Sequence, residues 1–84
     1  MYKVYILYSV KYKKNYIGYT SNIEQRLLSH NELATKGWTI KFRPWQIIYI
    51  EEFATKQEAL KKEKELKSGK GRKWIHNSLL IKLQ

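Results

Sequence analysis

Two β-rich stretches crowded with tyrosine open this chain, and the second runs directly into a helix signal. Tyr16-Ile17-Gly18-Tyr19-Thr20 reads as a short strand over Tyr16 to Tyr19 that hands over to a helix. Tyr2 to Ser9 alternates and is rich in β-branched and aromatic residues, which predicts a strand with Val4, Ile6 and Tyr8 on one face and Tyr5 and Leu7 on the other. Lys11 to Asn15 is polar and suits the connection of a hairpin, and Tyr16 and Gly18 share one face of its second arm. Both faces of this hairpin carry apolar or aromatic groups, so both must be covered, at least in part.

The rest of the chain supplies the cover. Ser21-Asn22-Ile23-Glu24 has the form of a capping box with Ser21 as N-cap, and predicts a helix to about Asn31. At roughly 100° per residue, Ile23 and Leu27 fall together, and Asn22, Arg26 and His30 form a separate polar line. Glu32 to Phe42 has no clean period and reads as a loop of roughly eleven residues, long enough to suspect a role in binding. Pro44 precedes a third strand, Trp45 to Phe53. Thr55-Lys56-Gln57-Glu58 repeats the capping-box pattern, predicting a helix to about Ser68 with Gly69 as its C-cap. Lys70 to Lys73 reads as a basic connection, and a last helix from about Lys73 to Leu83 presents Ile75, Leu79 and Leu83 as one stripe. The order β-β-α-β-α-α predicts a single α+β domain over residues 1–84, built on a small antiparallel sheet.

Charge narrows the choice of partner. Seventeen Lys and Arg against seven Asp and Glu give +10, which in a small domain points to a polyanion, most often nucleic acid. The chain has no cysteine, which excludes disulfides and thiolate metal sites. No apolar run approaches a membrane span and no signal-peptide pattern opens the chain, so a cytoplasmic protein without a membrane partner is expected.

Glu63 is the sharpest candidate for chemistry. On a helical wheel Ala59, Leu60 and Leu66 form the apolar arc and Glu63 sits inside it. An inward carboxylate needs a partner. Lys67, at i+4, offers a plain salt bridge, and a metal offers a functional alternative. Arg26 either rests in solvent or presents its planar fork to a phosphate. His30 alone is more simply a surface or partly buried histidine than a catalyst. Tyr5 and Tyr16 can be neighbours on the hairpin, and remain structural unless a cation or metal favours a phenolate. Lys41, Arg43, Lys70, Arg72 and Lys73, with Lys14 and Lys67, are candidate backbone contacts, and Trp38 and Trp74 are candidate stacking partners. Core packing is the favoured reading of Trp74.

Taken in order, these residues resemble the GIY-YIG nuclease superfamily, and more closely its small single-domain UvrC-like members of UPF0213 type. The matching pieces are Val4-Tyr5-Ile6-Leu7, Tyr16 to Asn22, Arg26 to Asn31, Arg43-Pro44-Trp45, Ala59 to Glu63 and Leu66 to Gly69. The first motif reads Lys3-Val4-Tyr5 instead of Gly-Ile-Tyr, with the tyrosine in place. The resemblance implies a three-stranded antiparallel sheet flanked by helices and metal-dependent hydrolysis of DNA, single-stranded or structured, as in repair. It maps the two motif tyrosines to Tyr5 and Tyr16, the arginine to Arg26, a histidine-or-tyrosine position to His30 and the metal-binding glutamate to Glu63. In that scheme Glu63 holds one Mg²⁺, with Mn²⁺ as a substitute. Arg26 contacts the scissile phosphate, the tyrosines position or activate water, and His30 carries a proton. DNA is favoured over RNA, and a protein partner is a further expectation. The competing expectation is a nucleic-acid-binding module that keeps the fold with little or no catalysis.

Overall fold

The computed structural model describes residues 1–81. Strands β1 (Tyr2–Ser9), β2 (Lys14–Thr20) and β3 (Gln46–Phe53) form one antiparallel sheet in the order β2-β1-β3. Tyr5 lies opposite Gly18 on one side and Ile50 on the other. The β1–β3 ladder shifts between Ile6 and Leu7, whose partners are Tyr49 and Ile47, so Ile48 is the extra residue of a bulge.

The alternation of β1 builds two cores. Val4 and Ile6 pack with Ile17, Ala59, Leu66 and Ile75 on one face of the sheet. Tyr5 and Leu7 pack with Trp45, Ile23, Leu27 and Phe42 on the other. Helices α2 (Lys56–Lys67) and α3 (Gly69–Ile75) supply the first layer. Helix α1 (Ile23–Leu28), a π-helical turn (Ser29–Leu33) and a 3₁₀ turn (Trp38–Phe42) supply the second. Burying a large apolar side chain stabilises by roughly 1.5–3 kcal/mol, and β1 collects that gain on both sides.

The structure moves several boundaries. Strand β2 runs through Gly18 to Thr20, and the N-cap of α1 is Asn22, not Ser21. Asn22 Oδ1 accepts from Gln25 N at 3.1 Å, while the Thr20 hydroxyl bonds Asn22 N at 3.0 Å and so delays the helix by one residue. The second capping box forms as read, with Thr55 Oγ1 accepting from Glu58 N. Gly69 does not cap α2. Ser68 ends α2 and starts α3, its hydroxyl donating to Glu65 O and accepting from Gly71 N. The last helix therefore begins at Gly69, and the stretch read as a connection is helical. Helix α3 crosses the end of α2 so closely that a Cβ on Gly71 would stand 2.3 Å from Glu65 O. A π-helical turn (His76–Leu80) follows it. Of the predicted stripe, Ile75 is buried and Leu79 half-buried, and Leu83 lies outside the described residues.

The stretch read as a loop carries two helical turns tied down from outside. Arg43 Nε donates to His30 O, and its Nη2 to Ser29 O at 3.1 Å and Ala34 O at 2.8 Å. Asn31 holds the Trp45 backbone at both groups, accepting from N and donating to O. Such side-chain-to-backbone ties leave no periodic trace in a sequence.

Candidate active site

An open cleft of about 350 Å³ lies along the β2 edge of the sheet, lined by Tyr5, Tyr16, Gly18, Arg26, Lys56 and Glu63 together with neighbouring residues of β1 and β2. Strand register places the two tyrosines, whose ring centroids are 6.3 Å apart. Arg26 reaches the cleft because α1 starts directly after β2, and no ion pair occupies it among the described residues. Glu63 comes from α2, between Ala59 and Leu66, which are both buried. Leu60 is exposed, so the inward stripe is Ala59, Glu63 and Leu66 rather than the predicted arc. The Glu63 side chain is 19% exposed and pairs with Lys67 at 3.8 Å. The plain salt bridge and the place in the cleft are therefore both present. Tyr5, Tyr16, Arg26 and Glu63 meet on one concavity.

Gly18 makes the cleft. A Cβ there would stand 2.6 Å from Tyr5 Oη and 2.8 Å from Tyr5 Cζ. The Tyr5 ring lies over the backbone where any other residue would place a side chain.

Tyr5 is 1% exposed, and its hydroxyl sits 3.2 Å from His30 Nε2. His30 is also buried, and its Nδ1 is 3.0 Å from Thr39 Oγ1. Burial, reinforced by Tyr16 and Glu63 and opposed by Arg26, pushes the Tyr5 phenol up from its ordinary value. Burial, then Arg26 and Arg43, push the His30 imidazole down. Both groups are therefore neutral near pH 7, so one imidazole nitrogen donates and the other accepts, with Tyr5 Oη on Nε2 and Thr39 Oγ1 on Nδ1. Tyr16 packs beside this pair, its ring centroid 4.8 Å from that of His30 and tilted to it by 59°.

The model of the GIY-YIG catalytic domain matches residues 1–76. The chain belongs to the GIY-YIG catalytic domain family. It is similar to a UPF0213 protein of Staphylococcus saprophyticus, 44% identical over 64 residues that cover 74% of this chain and 78% of that protein. It is also similar to the UPF0213 protein YazA of Bacillus subtilis, 38% identical over 70% of this chain and 62% of that one. Among solved structures it resembles the UPF0213 protein of Bacillus halodurans, determined in solution by NMR. That likeness has a TM-score of 0.53 and 28% identity, and covers 92% of this chain and 84% of the other. The three-stranded sheet flanked by helices is thus a fold shared with a UPF0213 protein. Family membership implies a nuclease domain with nucleic acid as its partner. No described helix is long and apolar enough to cross a membrane.

Within this GIY-YIG domain the predicted basic contacts divide. Lys67 and Arg72 line a groove beside β2 that shares Tyr16 with the cleft. Lys14 lies over the Phe42 ring, and Lys41 is exposed on the 3₁₀ turn. Lys70 borders a different groove with Trp74, and Lys73 is exposed on α3. Arg43 does not face a backbone-binding surface, because its guanidinium is engaged with the three carbonyls named above. Trp74 is not core: it is 40% exposed, its ring edge-on to Tyr49.

Two site residues escaped the sequence reading. Lys56 lines the cleft from the first turn of α2. It stands seven residues before Glu63, about two turns away on the same face, so the wheel contained it. Thr39 carried no signal, because its stretch has no period.

Proposed function

We propose that the cleft hydrolyses phosphodiester bonds in DNA that is single-stranded or locally unpaired. The observation that carries this reading is the meeting of Tyr5, Tyr16, Arg26 and Glu63, drawn from four elements, in one cleft. Binding alone would need only positive charge.

Arg26 takes the scissile phosphate with its planar donor fork, and Lys56 adds a second positive charge. Tyr5 does not stand as a phenolate, since burial opposes it. It takes a proton from the attacking water only as it passes its own to His30 Nε2, which is held neutral and ready to accept. Thr39 keeps the other imidazole nitrogen occupied, so that Nε2 faces Tyr5. Tyr16, beside both rings, positions the water. No group of three or more acidic, histidine or cysteine side chains gathers among the described residues, so a divalent cation would be held by one carboxylate, Glu63, in exchange for its Lys67 pairing. Glu63 is the carboxylate lining the cleft among the described residues, and Mg²⁺ characteristically takes one or two carboxylates and fills its shell with water and substrate oxygens. When bound, Mg²⁺, or Mn²⁺ in its place, supplies charge neutralisation for the leaving oxygen.

The test is cleavage of labelled single-stranded, duplex and branched DNA, and of single-stranded RNA, with Mg²⁺ or Mn²⁺ and with chelator. Wild type is compared with Glu63→Ala, Arg26→Ala and Tyr5→Phe. Each substitution should lower the rate at least about a hundredfold, the lower range for a lost general base or electrostatic contact. Cleavage that survives both chelator and Glu63→Ala would sink the proposed metal role. Binding without cleavage on every substrate would favour the non-catalytic module.

A further inference from the structure

A second surface on the α1 side of the sheet has no part in the cleft. Tyr12 and Trp38 are 41% and 47% exposed, large fractions for aromatic side chains. They flank Phe42, with ring centroids at 5.5 and 4.7 Å, and Trp38 rests 5.8 Å from the buried Trp45. Lysines are interleaved: Lys14 Nζ lies 5.7 Å from the Phe42 ring centroid and Lys11 Nζ 5.3 Å from that of Tyr12. The segments that build this surface, residues 10–14 and 36–45, hold no acidic residue.

Position links the surface to the cleft. Phe42 and Tyr16 pack against the same core of Tyr5, Leu7 and Trp45. Lys14 and Tyr16 lie two residues apart on one face of β2, roughly 7 Å along the strand. A chain whose phosphate sits at Arg26 therefore has this surface within reach.

Resting on the nuclease reading of the cleft, we propose that Tyr12, Phe42 and Trp38 form a stacking platform for an unpaired nucleobase next to the scissile phosphate, with Lys11 and Lys14 on the flanking backbone. Bases within a duplex have both faces covered, whereas an unpaired base offers its π-face to an aromatic ring. The charge of the surface argues for this occupant over a second copy of the chain. A two-fold contact through the platform would set its lysines against the same lysines. The platform makes the preference for unpaired strands a property of particular residues.

The test separates binding from cleavage. The Glu63→Ala protein in chelator is titrated against a short fluorescein-labelled oligo(dT), the matching oligo(U), and a hairpin duplex with the same number of phosphates. Trp38→Leu and Tyr12→Leu, confirmed folded by thermal melting, should each weaken oligo(dT) binding by roughly five- to a hundredfold and leave duplex binding unchanged. Leu60→Ala, at an exposed apolar residue of α2 that lines neither the cleft nor the platform, should bind like its parent. An equal loss on oligo(U) makes the platform a reader of unpaired bases in either nucleic acid, and a smaller loss makes it DNA-selective. Unchanged oligo(dT) binding in both variants, or equal losses on duplex and single strand, overturns the platform. So does a substitution whose effect appears only as lost self-association in sedimentation or lost adsorption to anionic vesicles. Failure of the wild-type protein to cleave any substrate, with the oligo(dT) pattern intact, removes the nuclease reading and leaves the platform standing.

Discussion

At Gly18 the missing side chain does structural work. Replacing it with alanine puts a methyl into the Tyr5 ring, whose hydroxyl is buried and committed to His30, so the ring must tilt and the Tyr5–His30 bond opens. Gly18→Ala should cost about 1–3 kcal/mol by overpacking. It should lower any nuclease rate by more than the loss of folded protein explains, which parallel melting and single-turnover assays would separate. His30 sets a pH dependence. Its folded pKa lies below the ordinary 6.5, so below that pH the unfolded chain binds a proton that the folded chain refuses. Stability is thus fully present above about pH 6.5 and is lost as the pH falls, at no more than about 1.4 kcal/mol per unit from this one group. The melting temperature should drop between pH 7 and 5, and His30→Gln should flatten that drop. Strand alternation, a helix start and a helical wheel place Tyr5, Tyr16, Arg26 and Glu63 by local rules, but those rules leave each with a plain structural reading, and it is the resemblance to the GIY-YIG family that joins them into one site. Thr39 was not legible, because its role depends on a hydrogen bond to a residue nine positions away.

At the level of elements, the strands and α2 followed from alternation, capping and period. The stretch from Glu32 to Phe42 did not. Its turns hang on Arg43 and Asn31, and a side chain that satisfies carbonyls elsewhere in the chain is invisible to any window. The last helix was misplaced for a related reason: Gly69 and Gly71 look like breakers, yet Ser68 restarts the helix and Gly71 is there for a close crossing. Arg43 tests the importance of these ties. Removing it strips donors from Ser29, His30 and Ala34. Arg43→Ala should therefore destabilise by about 2–4 kcal/mol, because charged hydrogen bonds and orphaned carbonyls are each costly. Arg43→Lys should recover only part of this, since an ammonium cannot span the three carbonyls. Denaturant melts measure the cost, and amide shifts at His30 and Thr39 report whether the imidazole has lost its seat.

Across the whole molecule, three layers are built around one central strand. Pairing on both edges and burial on both faces should make β1 the last part of the chain to open. Arg26 and Trp38, by contrast, sit on a six-residue helix and a 3₁₀ turn with few buried groups. Native-state hydrogen exchange should find the slowest amides at Val4 to Leu7, near the global limit, and far faster exchange along α1 and Trp38 to Phe42. Tyr5 is then carried by the hardest segment of the protein, whereas His30, Thr39 and the groups that would grip the strand sit on softer ones. Local opening that admits or releases a nucleic acid would thus also loosen His30 from Tyr5 and Thr39, and reclosing would restore the pair on an unmoved Tyr5.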